Sequence, residues 1–204
     1  NHSLSYMEAD ATGKVLARPV SGQSEALGPA GTIYSSVEDM GHWMVAIINK
    51  GMVNGKQVIP AEAITQTTIP LIISDRTGRW PELSNGLYGM GRIMQSYKGI
   101  KIHMHTGSID NFYSNLTVVP SEELAIFVVL NTSEASSYRS IAALPVIDRL
   151  LSLDYTDWPG RYRKEYEASQ NRGGGRQTAT PTPAAVTPLH PLTAYAGTYT
   201  DPLL

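Results

Sequence analysis

The feature that most constrains the fold is a series of short apolar segments separated by short turns between residues 88 and 131. From Ile100 to Thr106, apolar and polar side chains alternate, which is the pattern of a strand with one covered face. Strands are also predicted for residues 88–97, 112–119 and 124–131, and a loop rich in Pro and Gly is predicted for residues 70–87. Connections of a few residues join neighbouring antiparallel strands. The segment therefore predicts an antiparallel meander.

Helices are predicted on both sides of this meander. Before it, five apolar residues recur at the helical period, namely Met40, Trp43, Met44, Ile47 and Ile48. Ser35 and Glu38 precede them at the spacing of a capping box. After the meander, apolar residues recur at helical spacing over residues 137–151, where Pro145 should kink or split the helix. We therefore expect an α+β fold, an α/β sandwich in which helices flank an antiparallel sheet.

Composition excludes several classes of function. The formal net charge of -2 argues against a nucleic-acid partner, because such proteins normally carry a basic face. No apolar run approaches the roughly 18 residues that a transmembrane helix needs. The 204 residues contain no cysteine, which excludes disulfides and thiolate metal sites. Residues 1–20 lack the features of a signal peptide, and the chain does not begin with Met, so we expect a fragment.

The C-terminal part of the sequence changes character. Residues 169–189 contain three consecutive glycines and alternating Thr, Pro and Ala, which is typical of a flexible linker. Order-promoting residues return between Leu192 and Pro202, where a strand is predicted. We therefore expect one domain over residues 1–168, a linker over 169–189, and the truncated start of a second β domain over 190–204.

Four segments together resemble a known family. They are Gly28 to Trp43, Tyr88-Gly-Met-Gly91, His105-Thr106-Gly107 and Val118 to Asn131. In order and spacing they are similar to the β-lactamase-related serine hydrolases, which include class C β-lactamases, D-Ala-D-Ala carboxypeptidases and family VIII esterases. His105-Thr106-Gly107 resembles the third motif of that family, with His in place of the Lys of Lys-Thr-Gly. The segment after Leu192 resembles the start of the small β-barrel domain that often follows.

The resemblance implies that this chain is the C-terminal portion of such a domain. The family's nucleophile lies in a Ser-x-x-Lys motif, and none of the 204 residues forms one. The serine would then lie upstream of Asn1, in a half of the same domain that this chain must contact. The resemblance implies hydrolysis of a small-molecule or peptide substrate through an acyl-enzyme, without a cofactor. Family habit also implies a periplasmic or secreted location.

The resemblance also implies roles for individual residues. His105 would lie near the acylating serine, and the backbone N–H of Ser108 would be the second donor of an oxyanion hole. Thr106 and Gly107 would contact the substrate, and Asn111, where the family usually has Gly, would narrow the loop beside it. Because neutral imidazole exchanges protons near pH 7, His105 would favour esters or amides that lack the carboxylate recognised by Lys.

Several alternatives stay open at this point. The chain could be a catalytically silent binding or scaffolding module, or a self-contained β-sheet protein in which His-Thr-Gly arises by chance. His105 could be a half-buried strand histidine. His103 and His105 share one strand face, but two histidines without a third ligand make a poor zinc site. Tyr113-Ser-Asn115 matches the family's second motif, but its position after His-Thr-Gly indicates coincidence. As a fragment, the isolated polypeptide is predicted to be inactive and poorly soluble.

Overall fold

The computed structural model of this chain describes residues 3–8, 14–18, 28–74, 80–133, 137–171 and 190–198. Two compact units make up the chain, Asn1–Gly160 and Arg161–Leu204. No helix in the described ranges is long and apolar enough to cross a membrane.

The strands are β1 (Ser5–Glu8), β2 (Val15–Arg18), β3 (Met52–Val53), β4 (Lys56–Gln57), β5 (Ile72–Ile73), β6 (Leu83–Tyr88), β7 (Ile93–Tyr97), β8 (Ile100–Ile109), β9 (Phe112–Val119) and β10 (Leu124–Leu130). The α-helices are α1 (Gly28–Gly31), α2 (Val37–Ile48), α3 (Ala61–Gln66), α4 (Leu144–Leu150) and α5 (Trp158–Asn171). Short 3-10 helices lie at Pro120–Glu122, Tyr138–Ser140 and Leu192–Tyr195.

A six-stranded antiparallel sheet organises the first unit, in the order β10-β9-β8-β7-β6-β5. The order follows the sequence, so the predicted meander is confirmed. The hairpin between β8 and β9 turns on Asp110 and Asn111, with φ of 48° and 63°. Both central residues of a type I′ turn need positive φ, and Asp and Asn tolerate that conformation.

The prediction of one strand over residues 88–97 is wrong. Tyr88 ends β6 and Ile93 begins β7, and a turn separates them, in which Gly89 donates its N–H to the carbonyl of Arg92 at 2.8 Å and Gly91 adopts φ of 71°. A β-carbon at Gly89 would lie 2.6 Å from the carbonyl oxygen of Thr67, so only glycine fits there. The structure also places β5 and most of β6 in residues 70–87, where the sequence predicted a loop.

Helix α2 covers one face of the sheet. Ile47 is buried against Leu116 and Val118 of β9, in the way that the apolar stripe predicted. The helix begins one residue later than expected, because Ser36 is the N-cap and its hydroxyl accepts a hydrogen bond from the N–H of Asp39 at 3.0 Å. The predicted capping pair of Ser35 and Glu38 is therefore displaced by one position.

Helix α4 and the start of α5 pack on the opposite face, around a buried polar cluster. The cluster consists of Tyr97, Lys98, Asp148 and Trp158. Tyr97 donates its hydroxyl to Asp148 Oδ1 at 2.7 Å, and Lys98 Nζ donates to the same oxygen at 2.7 Å. Trp158 Nε1–H donates to the Tyr97 hydroxyl oxygen at 2.9 Å. These bonds join the end of β7 to both helices.

Pro145 splits the predicted helix over residues 137–151, as expected. The segment begins with the 3-10 turn at Tyr138–Ser140, and α4 follows with Pro145 in its first turn. Proline is favoured there because its missing N–H would have no helical partner.

In the second unit, Leu192–Tyr195 forms a 3-10 helix where a strand was predicted, and residues 190–198 show no part of a β-barrel. Most of the predicted linker lies outside the described residues, so the domain limits stay predictions.

Candidate active site

An open cleft of about 370 Å³ lies at the end of the sheet where four strands come together. It is lined by Ile72, Ile73, Ser74, Tyr88, Ile93, His105 and Thr106. These residues come from β5, β6, β7, β8 and the position after β5, so the sheet itself forms the cleft. The predicted site residues His105 and Thr106 both lie in its wall.

The register of β8 explains why this position is accessible. Pairing between β7 and β8 ends at Ile93 and Met104, whereas pairing between β8 and β9 continues to Ile109 and Phe112. In the described ranges, the stretch from His105 to Ile109 therefore has a strand neighbour on the β9 side alone. A strand edge of this kind presents backbone N–H and C=O groups that a ligand can bind.

His105 is exposed and contacts one polar side chain of the cleft. Its Nε2 lies 3.2 Å from the hydroxyl of Tyr88, and the two ring centres are 6.0 Å apart. Thr106 is half-buried and follows on the opposite face of the strand. The cleft thus has a polar side, formed by these residues, and an apolar side formed by isoleucines.

Gly107 and Ser108 continue the open edge of β8. A β-carbon at Gly107 would lie 2.6 Å from Ser114 Oγ on β9, so the glycine allows the two strands to pair around that hydroxyl. Ser108 is exposed and pairs with Tyr113. Asn111 lies in the hairpin turn beyond β8 and is not among the residues that line the cleft.

His103 lies on the same face of β8 as His105, yet its environment differs. Its side chain is buried, and its Nε2 has no hydrogen-bond partner among the described residues. Burial, together with the positive charges of Lys101 and Arg92, lowers the pKa of His103 to about 4. The described residues contain no cluster of three or more His, Cys, Asp or Glu side chains that could hold a metal ion.

Sequence reasoning did not identify five of the cleft residues, one of which is Ile93 of β7. Ile72, Ile73 and Ser74 fall in the segment predicted as a loop, and Tyr88 was assigned to a strand without a role. One signal pointed to Tyr88, since it directly precedes the glycine turn of Tyr88-Gly-Met-Gly91. Tyr88 is 17 residues from His105 in sequence, so their contact depends on the tertiary structure and is not visible in a local pattern.

Comparisons with known proteins agree with this architecture. A family model described as Beta-lactamase matches residues 2–148. Unguisins hydrolase ungD' of Aspergillus campestris is 27% identical over 98% of this chain and 40% of its own length. Unguisins hydrolase ungD of Aspergillus violaceofuscus is 26% identical over 83% of this chain and 33% of its own length. The chain thus spans well under half the length of these relatives.

One solved structure extends the likeness to the fold. The octameric penicillin-binding protein homologue from Pyrococcus abyssi superposes with a TM-score of 0.57 and 20% identity, over 74% of this chain and 31% of that chain. At this identity the likeness concerns the fold alone. The antiparallel sheet and its helices therefore correspond to part of a penicillin-binding-protein-like fold.

Proposed function

Because this chain belongs to the beta-lactamase family, we propose that it forms one wall of the active site of a serine hydrolase that acts through an acyl-enzyme. The nucleophile and its Ser-x-x-Lys motif would come from an upstream half of the same domain. The names of the two fungal relatives, both called hydrolases, support this reading.

The observation that carries the proposal is the open edge of β8 at the cleft. His105 and Thr106 line the cleft directly beyond the last pair between β7 and β8. A substrate bound there would meet two side chains and the free side of a strand in one place. Such an edge binds an extended peptide through backbone hydrogen bonds.

In this proposal each residue of the motif has a distinct task. Thr106 donates a hydrogen bond to a substrate carbonyl or carboxylate, and the backbone N–H of Ser108 stabilises the oxyanion of the tetrahedral intermediate. Removing one oxyanion donor typically lowers turnover about 100- to 1000-fold. Gly107 allows the edge to pair closely with β9 beneath the substrate. Asn111 would act from the turn, by limiting the width of the loop.

The residues that line the cleft favour binding of an uncharged substrate group. Ile72, Ile73 and Ile93 supply apolar surface, and the residues that line the cleft in the described chain include neither Lys nor Arg. A substrate carboxylate would lack a permanent cation at this position. We therefore propose that an ester or amide with an apolar group binds here, in preference to one that requires a carboxylate.

The test is a hydrolysis assay on the complete protein. The assay compares a nitrophenyl ester, a D-amino-acid anilide and a chromogenic β-lactam, each with the wild type and His105→Ala. We expect hydrolysis of the ester or anilide, and a loss of kcat of at least tenfold in the variant, because the polar wall of the cleft is removed. His42→Ala is the matched control, since His42 is an exposed histidine of α2. Unchanged turnover of His105→Ala would contradict the proposed role.

A further inference from the structure

We infer that Tyr88 is a positioning residue that holds His105 as its neutral Nδ1–H tautomer, so that His105 meets the substrate as a hydrogen-bond donor. The inference rests on the proposed function for its catalytic consequence. Its structural content, the tautomer of one histidine, can be measured without any activity.

Tyr88 and His105 belong to the two strands that flank β7. Tyr88 is the last residue of β6 and pairs with Ile72 on one side and Ile93 on the other. Ile93 in turn pairs with Met104, the residue before His105. Tyr88 and His105 thus lie in neighbouring rows of paired residues in the same sheet. The Tyr88 hydroxyl lies 3.2 Å from His105 Nε2, beyond the last pair between β7 and β8.

The direction of this hydrogen bond follows from the acidity of the two groups. A phenol is a stronger acid than the N–H of a neutral imidazole, so the hydroxyl is the better donor and imidazole nitrogen the better acceptor. When Nε2 accepts, the ring proton of a neutral histidine must reside on Nδ1. The Tyr88 hydroxyl therefore selects one of two tautomers.

In this arrangement His105 presents a hydrogen-bond donor to the cleft. With Nε2 occupied by Tyr88, the ring nitrogen left for a ligand is Nδ1, which carries a proton. A group that donates suits a substrate carbonyl oxygen and the negative charge that develops on it. The exposed position of His105 allows that contact. Tyr88 acts through His105 and is a positioning residue in this scheme, without contact to the reacting atoms.

The direct test is nitrogen NMR of the complete protein labelled with 15N in its histidine rings, at a pH where His105 is neutral. The signals of His105 are identified by their loss in His105→Gln. We expect Nδ1 at the shift of a protonated ring nitrogen and Nε2 at that of an unprotonated one. In Tyr88→Phe the two shifts should move toward the values of a mixed tautomer. The opposite assignment in the wild type, or identical spectra in Tyr88→Phe, would overturn the inference.

The functional consequence has its own measurement. Tyr88→Phe removes the donor and keeps the ring, so we expect kcat to fall about five- to tenfold, the effect of losing one hydrogen bond. KM should change less, because the apolar lining remains. Tyr155→Phe is the matched control, since Tyr155 is exposed beside Arg149 of α4, away from the cleft. Equal kcat in Tyr88→Phe and wild type would contradict the positioning role.

The two readouts separate this inference from the proposed function. A wild-type protein without hydrolase activity, but with the Nδ1–H tautomer, would contradict the proposed function and support the role of Tyr88. An active wild type whose His105 carries its proton on Nε2 would support the proposed function and contradict the role of Tyr88. If Tyr88→Phe does not fold, the spectrum of the wild type alone still tests the inference, because it shows which ring nitrogen of His105 carries the proton.

Discussion

His103 and His105 lie two positions apart on the same face of β8, yet His103 is 8% exposed and His105 is open to the cleft. The difference arises where pairing with β7 ends. His103 pairs with Met94, whereas His105 lies beyond the last pair. One strand therefore places a buried neutral histidine beside an accessible one, and only the second can meet a substrate.

The first prediction concerns the pH dependence of stability. Burial lowers the pKa of folded His103 from 6.5 to about 4, with Lys101 and Arg92 adding to the shift. Between pH 6.5 and about pH 4, His103 therefore binds a proton in the unfolded chain but stays neutral in the folded chain. The stability that the neutral His103 contributes is fully present above pH 6.5 and is lost as the pH falls toward 4. We expect His103→Gln to reduce the pH dependence of the free energy of unfolding.

Chemical denaturation of the complete protein at pH 7 and pH 5 measures this effect. His42→Gln is the control, because His42 is exposed and should leave the pH dependence unchanged. The same loss of stability between the two pH values in the wild type and in His103→Gln would contradict the prediction.

The second prediction concerns the contact between Gly107 and Ser114. In Gly107→Ala the new methyl group would lie 2.6 Å from Ser114 Oγ, and 3.9 Å from Ser114 Cβ. We expect the substitution to lower the free energy of unfolding by about 1 kcal/mol, because overpacking displaces a neighbour. Ser114→Ala in the same protein should restore most of the loss, since it removes the clashing oxygen.

A double-mutant cycle followed by thermal melting tests this coupling. If Ser114→Ala changes the free energy of unfolding by the same amount in the wild type and in Gly107→Ala, the two residues are not coupled and the prediction is wrong.

The third prediction concerns the buried cluster around Asp148, which is 1% exposed. Burial by itself would raise the pKa of Asp148, but hydrogen bonds from Lys98, Thr156 and Tyr97 outweigh it and hold the pKa below its usual value. Asp148→Asn leaves the Lys98 ammonium without its charge partner. Breaking a buried pair in this way costs about 3 kcal/mol.

Denaturation of the complete protein at neutral pH checks that value. Asp154→Asn is the control, because the Asp154 side chain is exposed and Lys98 bonds its backbone carbonyl. We expect the control to stay within about 0.5 kcal/mol of the wild type. A loss in Asp148→Asn no larger than in the control would show that the pair does not stabilise the fold.

Local patterns were sufficient to predict the meander, helix α2 and the break at Pro145, because each depends on residues close in sequence. Contacts between distant segments could not be predicted in this way. Gly89 ends a strand where it lies against the Thr67 carbonyl, and Tyr88 contacts His105 although the two residues are 17 positions apart. The resemblance to a family located His105 and Thr106, but not the isoleucines that form the rest of their cleft.

The most direct test of the central claim is to treat the folded complete protein with a fluorophosphonate probe and to measure its intact mass and labelled peptide. We predict one adduct, on a serine of a Ser-x-x-Lys sequence upstream of Asn1. That label would support a live acyl-enzyme site to which this 22.2 kDa chain contributes one wall. Absence of an adduct, or an adduct on a serine within these 204 residues, would contradict the account.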